Sequence, residues 1–438
     1  MLSTTNENIP PPGSLPVISQ EELNVALEKH LMFLRGQIGG QRLIMQYKDL
    51  SNLNFHNRDI SQSDFTGSML VGTDLSLCIM KSSCFFGCDL RDSDISHADL
   101  SRTDLRGTSL SGANMSGANL ADSDMREGKI VQKANTGDLV DRVRSGGAGG
   151  SKTLLVGARL TNADLSGVRA RNADFSDADL SNSITHDADL DEATFHGANL
   201  SNADFSGSNL RQVNMQQAIL SGVVMENVES YGLDRSGAIT QEYTGKRIED
   251  DGQTLTELLE EHTLWVKSAG KQGKQMNLSG YDLRDQEDIR HYSLTAIKAV
   301  KASFIDLDLR KASIQSSMLD KSDFRDCFME HVDLRGSSLR NTKMTRANLS
   351  NARLSPLRFE NADGSHRIQR VDLSGADLRF SNLQDIDLRD AILMGVDLTH
   401  ADLSGADLRR ADLTGSIIKG AKFDDAKLTK AIIDFDAI

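Results

Sequence analysis

Residues Gly146 to Thr153 read GGAGGSKT, the stretch of this 438-residue chain nearest to a phosphate-binding loop. Such a loop needs Gly directly before its Lys, because a side chain there blocks close approach of the backbone to phosphate. Ser151 stands in that place, with no strand-loop-helix pattern around it, so the stretch reads as a flexible linker. Cys78, Cys84 and Cys88 follow a C-x5-C-x3-C spacing and Cys327 stands apart; this is neither a zinc spacing nor a disulfide framework. His30 and His262 fall at or beside apolar helix faces with no third residue to complete an acid–base set, so a hydrogen-bonded structural role is expected for both. Asp recurs throughout, but without the Gly-rich turns that give backbone ligands to calcium in acidic repeats. No nucleophile elbow and no HExxH occurs. The chain reads as a non-enzyme with no catalytic residue, no cofactor and no metal site.

The elements that would position these residues follow from one periodicity. From Leu50 to Ile130 an apolar residue stands at every fifth place, 17 times without a miss. The register resumes at Leu155 and runs to Met225, with Ala170 and Thr185 as its weak members. A second array begins with Leu278 and Leu283, slips, runs from Leu294 to Phe359 with Ala299 as its weak member, slips again, and runs from Leu373 to Ile433. Two places before each centre stands Ala, or Ser, Cys or Val in its stead, as in Ala98-Asp99-Leu100 and Ala406-Asp407-Leu408. Each unit therefore buries one large and one small side chain and exposes three polar ones. A helix needs a period of about 3.6 and a strand a period of 2. Five fits a four-sided coil, each pentapeptide supplying one side and a corner. The composition agrees: 38% hydrophobic and only 5% aromatic residues suit a narrow interior.

These units resemble the pentapeptide-repeat family, whose A-(D/N)-L-x-x motif implies a right-handed quadrilateral β-helix with four units per coil. The resemblance covers about 300 residues of the chain. It implies about eight coils in the first array and about seven in the second, each a rod of roughly 35–40 Å at the strand spacing of about 4.8 Å.

Each array is preceded by an amphipathic segment. Residues 21–35 carry Leu23, Leu27, Leu31 and Leu34 on one face, with Ser19 and Glu22 placed for a capping box. Residues 254–267 carry Leu255, Leu258, Leu259, His262 and Val266. His30 aligns with His262 and Phe33 with Trp265. Such His-plus-aromatic helices precede the repeats in some members of the family. They read as structural caps over a β-helix end, whose unpaired backbone would otherwise invite edge-to-edge association. The all-β solenoid thus divides into a disordered Pro-rich tail (1–18), a cap and first array (19–225) with an insertion at 131–154, a connector (226–253), and a cap and second array (254–438) with a loop at 360–370. Alternation around Asn135-Thr136-Gly137 predicts a hairpin in the insertion. YGLDRSGAITQEYTG in the connector suggests another.

Charge gives the remaining functional lead. The net charge is −14, and no segment has the length and apolarity of a membrane span or the make-up of a signal peptide. Direct nucleic-acid or membrane binding is not expected, and the expected location is cytoplasmic. Residues 158–240 carry 12 acids against 5 bases, whereas residues 276–370 carry 13 against 16. The expected function is a non-catalytic scaffold of two rigid rods that binds protein partners. Relatives that modulate bacterial DNA gyrase as acidic mimics of duplex DNA suggest an alternative, in which Asp164, Asp174, Asp179, Asp189 and Asp204 form an acidic binding face. Export as a bacterial effector is a lesser alternative. The C-terminal coil, with Ile432, Phe435 and Ile438, is a candidate homodimer contact.

Overall fold

An apolar side chain at every fifth place meets its like only if the chain turns back on itself at a multiple of five. In a computed structural model of the chain that multiple is twenty. The structure describes residues 15–128, 131–133, 139–141, 152–242, 245–284, 286, 289–290, 292–360 and 365–433. Parallel bridges join each residue before a centre to the one twenty places on, as in Asp74 with Asp94 and Asn114, so four pentapeptides make one coil. The main chain is bonded in both directions along the stack. The Leu75 N–H donates to the Asp94 carbonyl one coil up (2.7 Å), and the Asp74 N–H donates to the Leu53 carbonyl one coil down (3.1 Å). The result is a β-helical solenoid, divided into two compact units between residues 242 and 243.

In the first unit every centre from Leu50 to Met125 and from Leu155 to Leu220 is at most 6% exposed. Like residues stack on successive coils: the rings of Phe65 and Phe85 lie 4.9 Å apart, and those of Phe175 and Phe195 4.7 Å apart. Phe304 and Phe324 repeat this at 4.6 Å in the second unit. Such offset stacks add to the burial of the rings themselves. The small inward slot accepts Cys, Ser and Thr because a neighbouring coil satisfies them. Cys78 Sγ and Cys88 Sγ donate to the Phe55 and Phe65 carbonyls (3.0 Å each), as Ser83 Oγ does to Ile60 (2.9 Å) and Cys327 Sγ to Phe304 (2.8 Å). Burial pushes the Cys78 thiol up to about 11, so it packs as a small hydrophobe. The second place after each centre turns the corner in the left-handed region, occupied by Gly as at Gly72 (φ +65°) or by Asn, Asp and others, as at Asn52 (φ +61°).

Helix α1 (Gln20–Leu34) begins at Ser19 with both halves of the expected capping box and buries Leu23, Leu27 and His30 against the first coil. The insertion contains strands β1 (Val131–Lys133) and β2 (Leu139–Asp141), paired antiparallel as the alternation predicts. The register is carried across it, since Ser109 bridges Leu154 forty-five places on. Ile130 and the Gly-rich residues 145–151 lie outside the described residues. In the second unit a short 3-10 turn (Ile248–Asp251) leads to helix α2 (Leu255–Lys267), capped by Thr254 and Glu257 and burying Leu259 and His262. A second hairpin, β3 (Leu357–Glu360) with β4 (His366–Gln369), interrupts the second array; Ser338 bridges Asp372 across it.

Four expectations require correction. The tail expected to be disordered through residue 18 is ordered at its end, where Val17 bridges Asp49; its residues 1–14 lie outside the described residues. The first array continues past residue 225, because Asn209, Asn214 and Ile219 bridge Glu229, Asp234 and Ile239. Pentapeptide turns therefore occupy residues 231–239, where a connector hairpin was expected. The coil hides from the apolar pattern there because its centres are Ser230 and Arg235, leaving Val228 and Leu233 as its inward groups. Finally, Phe359 falls on the five-residue register by coincidence. The coil stops at Leu354, and Phe359 lies in β3 with 41% exposure.

Candidate interaction surfaces

The His-plus-aromatic pairs are built alike in both units. Leu43 donates its main-chain N–H to Nδ1 of His30 (3.0 Å), so the ring proton sits on Nε2, which donates to the Ser61 carbonyl (3.0 Å). Met276 and Thr295 hold His262 in the same way, at 3.1 and 3.0 Å. Both rings are fully buried, and burial holds each imidazole below its ordinary pKa. Phe33 and Trp265 cover them, with ring centroids at 5.8 and 5.6 Å. The chain reaches these histidines by crossing its own helix closely. A Cβ on Gly40 would lie 2.3 Å from the Phe33 main-chain nitrogen, and one on Gly273 2.1 Å from the Glu261 carbonyl.

The recurrent Asp has a local task. Its carboxylate accepts the N–H two residues on, which pins the corner: Asp164 from Ser166 (2.9 Å), Asp174 from Ser176 (2.9 Å), Asp179 from Ser181 (3.1 Å), Asp204 from Ser206 (2.9 Å). Where Arg follows the centre, its guanidinium folds back on the same carboxylate as a fork. Arg106 does this to Asp104 at 2.9 and 2.7 Å, and Arg389 to Asp387 at 2.7 and 2.8 Å. Much of the outward charge is thereby paired within its own repeat.

The five candidate acids do not share one face. Positions five apart lie on successive sides of the coil, and only positions a full coil apart stack. Asp164 and Asp204 stand in one row with Ile184 between them, whereas Asp174, Asp179 and Asp189 occupy the other three sides. Asp189 further approaches Arg171 (3.5 Å). Read along a single side, a different set emerges. The pentapeptides bearing Asp122, Asp164, Asp187, Asp204 and Glu226 are successive rungs of one row and contain no Lys or Arg. The sequence signal for it is pentapeptides twenty residues apart, or forty-five across the insertion, rather than acids five apart. The Ser206 hydroxyl and then His186 (2.9 Å) hold Asp204 down to about 2. At the C-terminal coil Ile432 is 56% exposed, while Phe435 and Ile438 lie outside the described residues. Among the described residues no group of three or more His, Cys, Asp or Glu is placed to hold a metal ion, and no helix is long and apolar enough to cross a membrane.

The match to a known repeat family agrees with this construction. The model of the pentapeptide repeats matches in eight copies, among them residues 88–126, 151–184, 188–227, 319–355, 327–363, 372–410 and 391–429. A search of curated proteins finds no match. Among solved structures, full-length QnrB1, a plasmid-mediated fluoroquinolone resistance protein, is 19% identical over 46% of this chain and 92% of its own, with a TM-score of 0.22. A pentapeptide repeat protein of the Arabidopsis thaliana thylakoid lumen is 25% identical over 29% and 69%, with a TM-score of 0.22. HetL, a pentapeptide repeat protein involved in heterocyst differentiation regulation in Nostoc sp. strain PCC 7120, is 18% identical over 91% and 95%, with a TM-score of 0.15. With its motif, its twenty-residue coil and the repeat match in agreement, the chain belongs to the pentapeptide-repeat family.

Proposed function

We propose that the chain is a non-catalytic, cytoplasmic scaffold that binds protein partners through two rigid, right-handed quadrilateral β-helices, each closed at its start by α1 or α2. The observation that carries this reading is the twenty-residue register. It sets outward side chains in fixed rows about 4.8 Å apart around a core of buried inward side chains. Such rows cost little ordering entropy on binding, because the backbone that bears them is already fixed. Hairpin β3–β4 adds a side-chain-bearing projection to the second array. The test is capture of a partner by the purified full chain, followed by reconstitution of the complex from two purified proteins. Loss of binding is expected when charges in one row are reversed and not when those of another row are. A turnover activity that maps to a single residue would overturn the reading.

The row from Asp122 to Glu226 favours a second reading, an acidic mimic of duplex DNA acting on a topoisomerase. One carboxylate per rung is about a third of the duplex's charge density of one per about 1.7 Å. A gyrase supercoiling assay titrated to tens of micromolar decides it: inhibition or drug protection supports mimicry, and a flat response rejects it.

A further inference from the structure

In hairpin β3–β4, Arg358 stands directly opposite Ile368, so a cation and a bulky apolar group lie side by side on one face. Both are exposed, and both line a groove of about 870 Å³ between the hairpin and the coils that follow it. That size suits a small ligand or a few residues of peptide. The coils contribute Arg389, Asp390 and Arg410, and the last described rung adds Ile432.

The groove is cationic on an acidic molecule. Its lining carries four arginines against two aspartates, on a chain of net charge −14. Two of the four are already matched: Arg410 places its fork on Asp390 (2.6 Å twice) and Arg389 on Asp387. The other two form no ion pair among the described residues; both act on Asp390 through charge alone, as Arg370 does on Asp412. Arg370 donates to the main-chain carbonyls of Asp390 and Ala391, and Arg358 makes no ion pair among the described residues. Beside these charges Ile368 and Ile432, each 56% exposed, offer apolar surface from the hairpin and from the coil. Guanidinium forks that hold no carboxylate in an ion pair suit a carboxylate ligand, and the isoleucines suit an aliphatic or aromatic side chain. A nucleic-acid strand would ask instead for aromatic rings under its bases. None lines the groove; the nearby Phe359 lies beneath Arg367, 6.0 Å from ring centroid to guanidinium.

We propose that this groove docks an acidic peptide segment of a partner protein, one that carries at least one bulky apolar side chain; the proposal rests on the scaffold reading above. The probe is a fluorescein-labelled decapeptide of alternating Glu and Leu, followed by anisotropy with the full chain. Saturable binding is expected, weakened by salt and weakened about tenfold or more by R358E and severalfold by I368S. Both substitutions fall on exposed positions, so unchanged melting is the control that folding is intact. Absence of saturable binding overturns the proposal, as does equal affinity of both variants. Tighter, competing binding of a ten-nucleotide oligo-dT strand also overturns it, in favour of a nucleic-acid site. A reconstituted protein partner that is held equally by the wild type and by R358E/I368S leaves the scaffold reading standing and removes the groove from it.

Discussion

His30 accepts the main-chain N–H of Leu43 at 3.0 Å through Nδ1, thirteen residues along the chain, while its Nε2–H is bonded to Ser61. One side chain thus ties helix α1 to the start and to the fourth side of the first coil beneath it, through one buried and one part-buried bond. Replacing His30 by Ala leaves the buried Leu43 N–H and the part-buried Ser61 carbonyl without this partner as well as a cavity, a cost of about 2–4 kcal/mol. H262A is expected to do the same in the second unit. The chain's one tryptophan, Trp265, stacks on His262, so its fluorescence follows the second unit, and circular dichroism follows both. Urea unfolding should show H262A shifting the fluorescence transition and H30A leaving it in place.

The same bonds give a dependence on pH. A protonated imidazole would present a second donor to the Leu43 N–H, and burial already lowers the folded pKa of His30, with the Ser61 carbonyl and then Asp59 opposing and Arg42 adding to the effect. The unfolded ring titrates near its ordinary value of about 6.5. Stability from this contact is therefore present above about pH 6.5 and lost as pH falls below it. Lowering the pH from about 7.5 to about 5.5 should reduce the unfolding midpoint of the wild type more than that of an H30Q variant, which has no proton to gain. Equal shifts would exclude the ring as the cause.

Asp204 titrates in the opposite sense. Its carboxylate is held down to about 2 by the Ser206 hydroxyl first and by His186 second. A lowered carboxylate contributes stability that is complete above its ordinary value near 3.8 and is lost as pH falls toward 2. Side-chain NMR should place its midpoint near 2, and S206A should raise it more than H186N does. An Asp204 midpoint near the ordinary value in the wild type would refute the assignment.

How much of this was legible beforehand depended on what each feature repeats with. The centres Leu50 to Met125 announce themselves because each must be apolar to fill a narrow core. The alignment of His30 with His262 likewise points to a structural pair. The identity of their partners was not legible, since it depends on how the chain beyond Gly40 crosses its own helix. The acidic set was misplaced because a spacing of five walks around the coil, whereas Asp164 meets Asp204 only at multiples of twenty. Ser230 and Arg235 concealed the last coil of the first array because open coil ends need no apolar centre. Phe359 misled in the reverse way, an apolar residue in phase beyond Pro356, where the coil has already stopped.

Thr185 is a centre of the wrong chemistry: it is 1% exposed, and its hydroxyl has no hydrogen-bond partner among the described residues. Val has the same shape without the hydroxyl, so T185V removes an unsatisfied buried donor and adds an apolar contact with its neighbours in the core. The expected gain is about 1 kcal/mol, read as a higher midpoint in urea with an unchanged slope. A lower midpoint would mean that the hydroxyl is satisfied in solution.

The twenty-residue register also predicts which deletions the solenoid tolerates. Removing residues 165–184 takes out one whole coil, so Asp164 is followed by Thr185 in the place of Leu165, and every later rung keeps its side and its row. Removing one pentapeptide keeps each centre inward but turns all later rungs by one side, which preserves the core and scrambles the rows. Removing four residues brings the residue before each centre into its place, a polar side chain at most later centres of that array, until the register is recovered. Unfolding monitored by circular dichroism should therefore remain cooperative for the deletions of twenty and of five, and should be lost or split for the deletion of four. Because only the twenty-residue deletion leaves side chains in their original rows, it alone should retain a partner that recognises rungs on both sides of the cut. Loss of cooperativity in all three would mean that the core depends on particular neighbours rather than on phase.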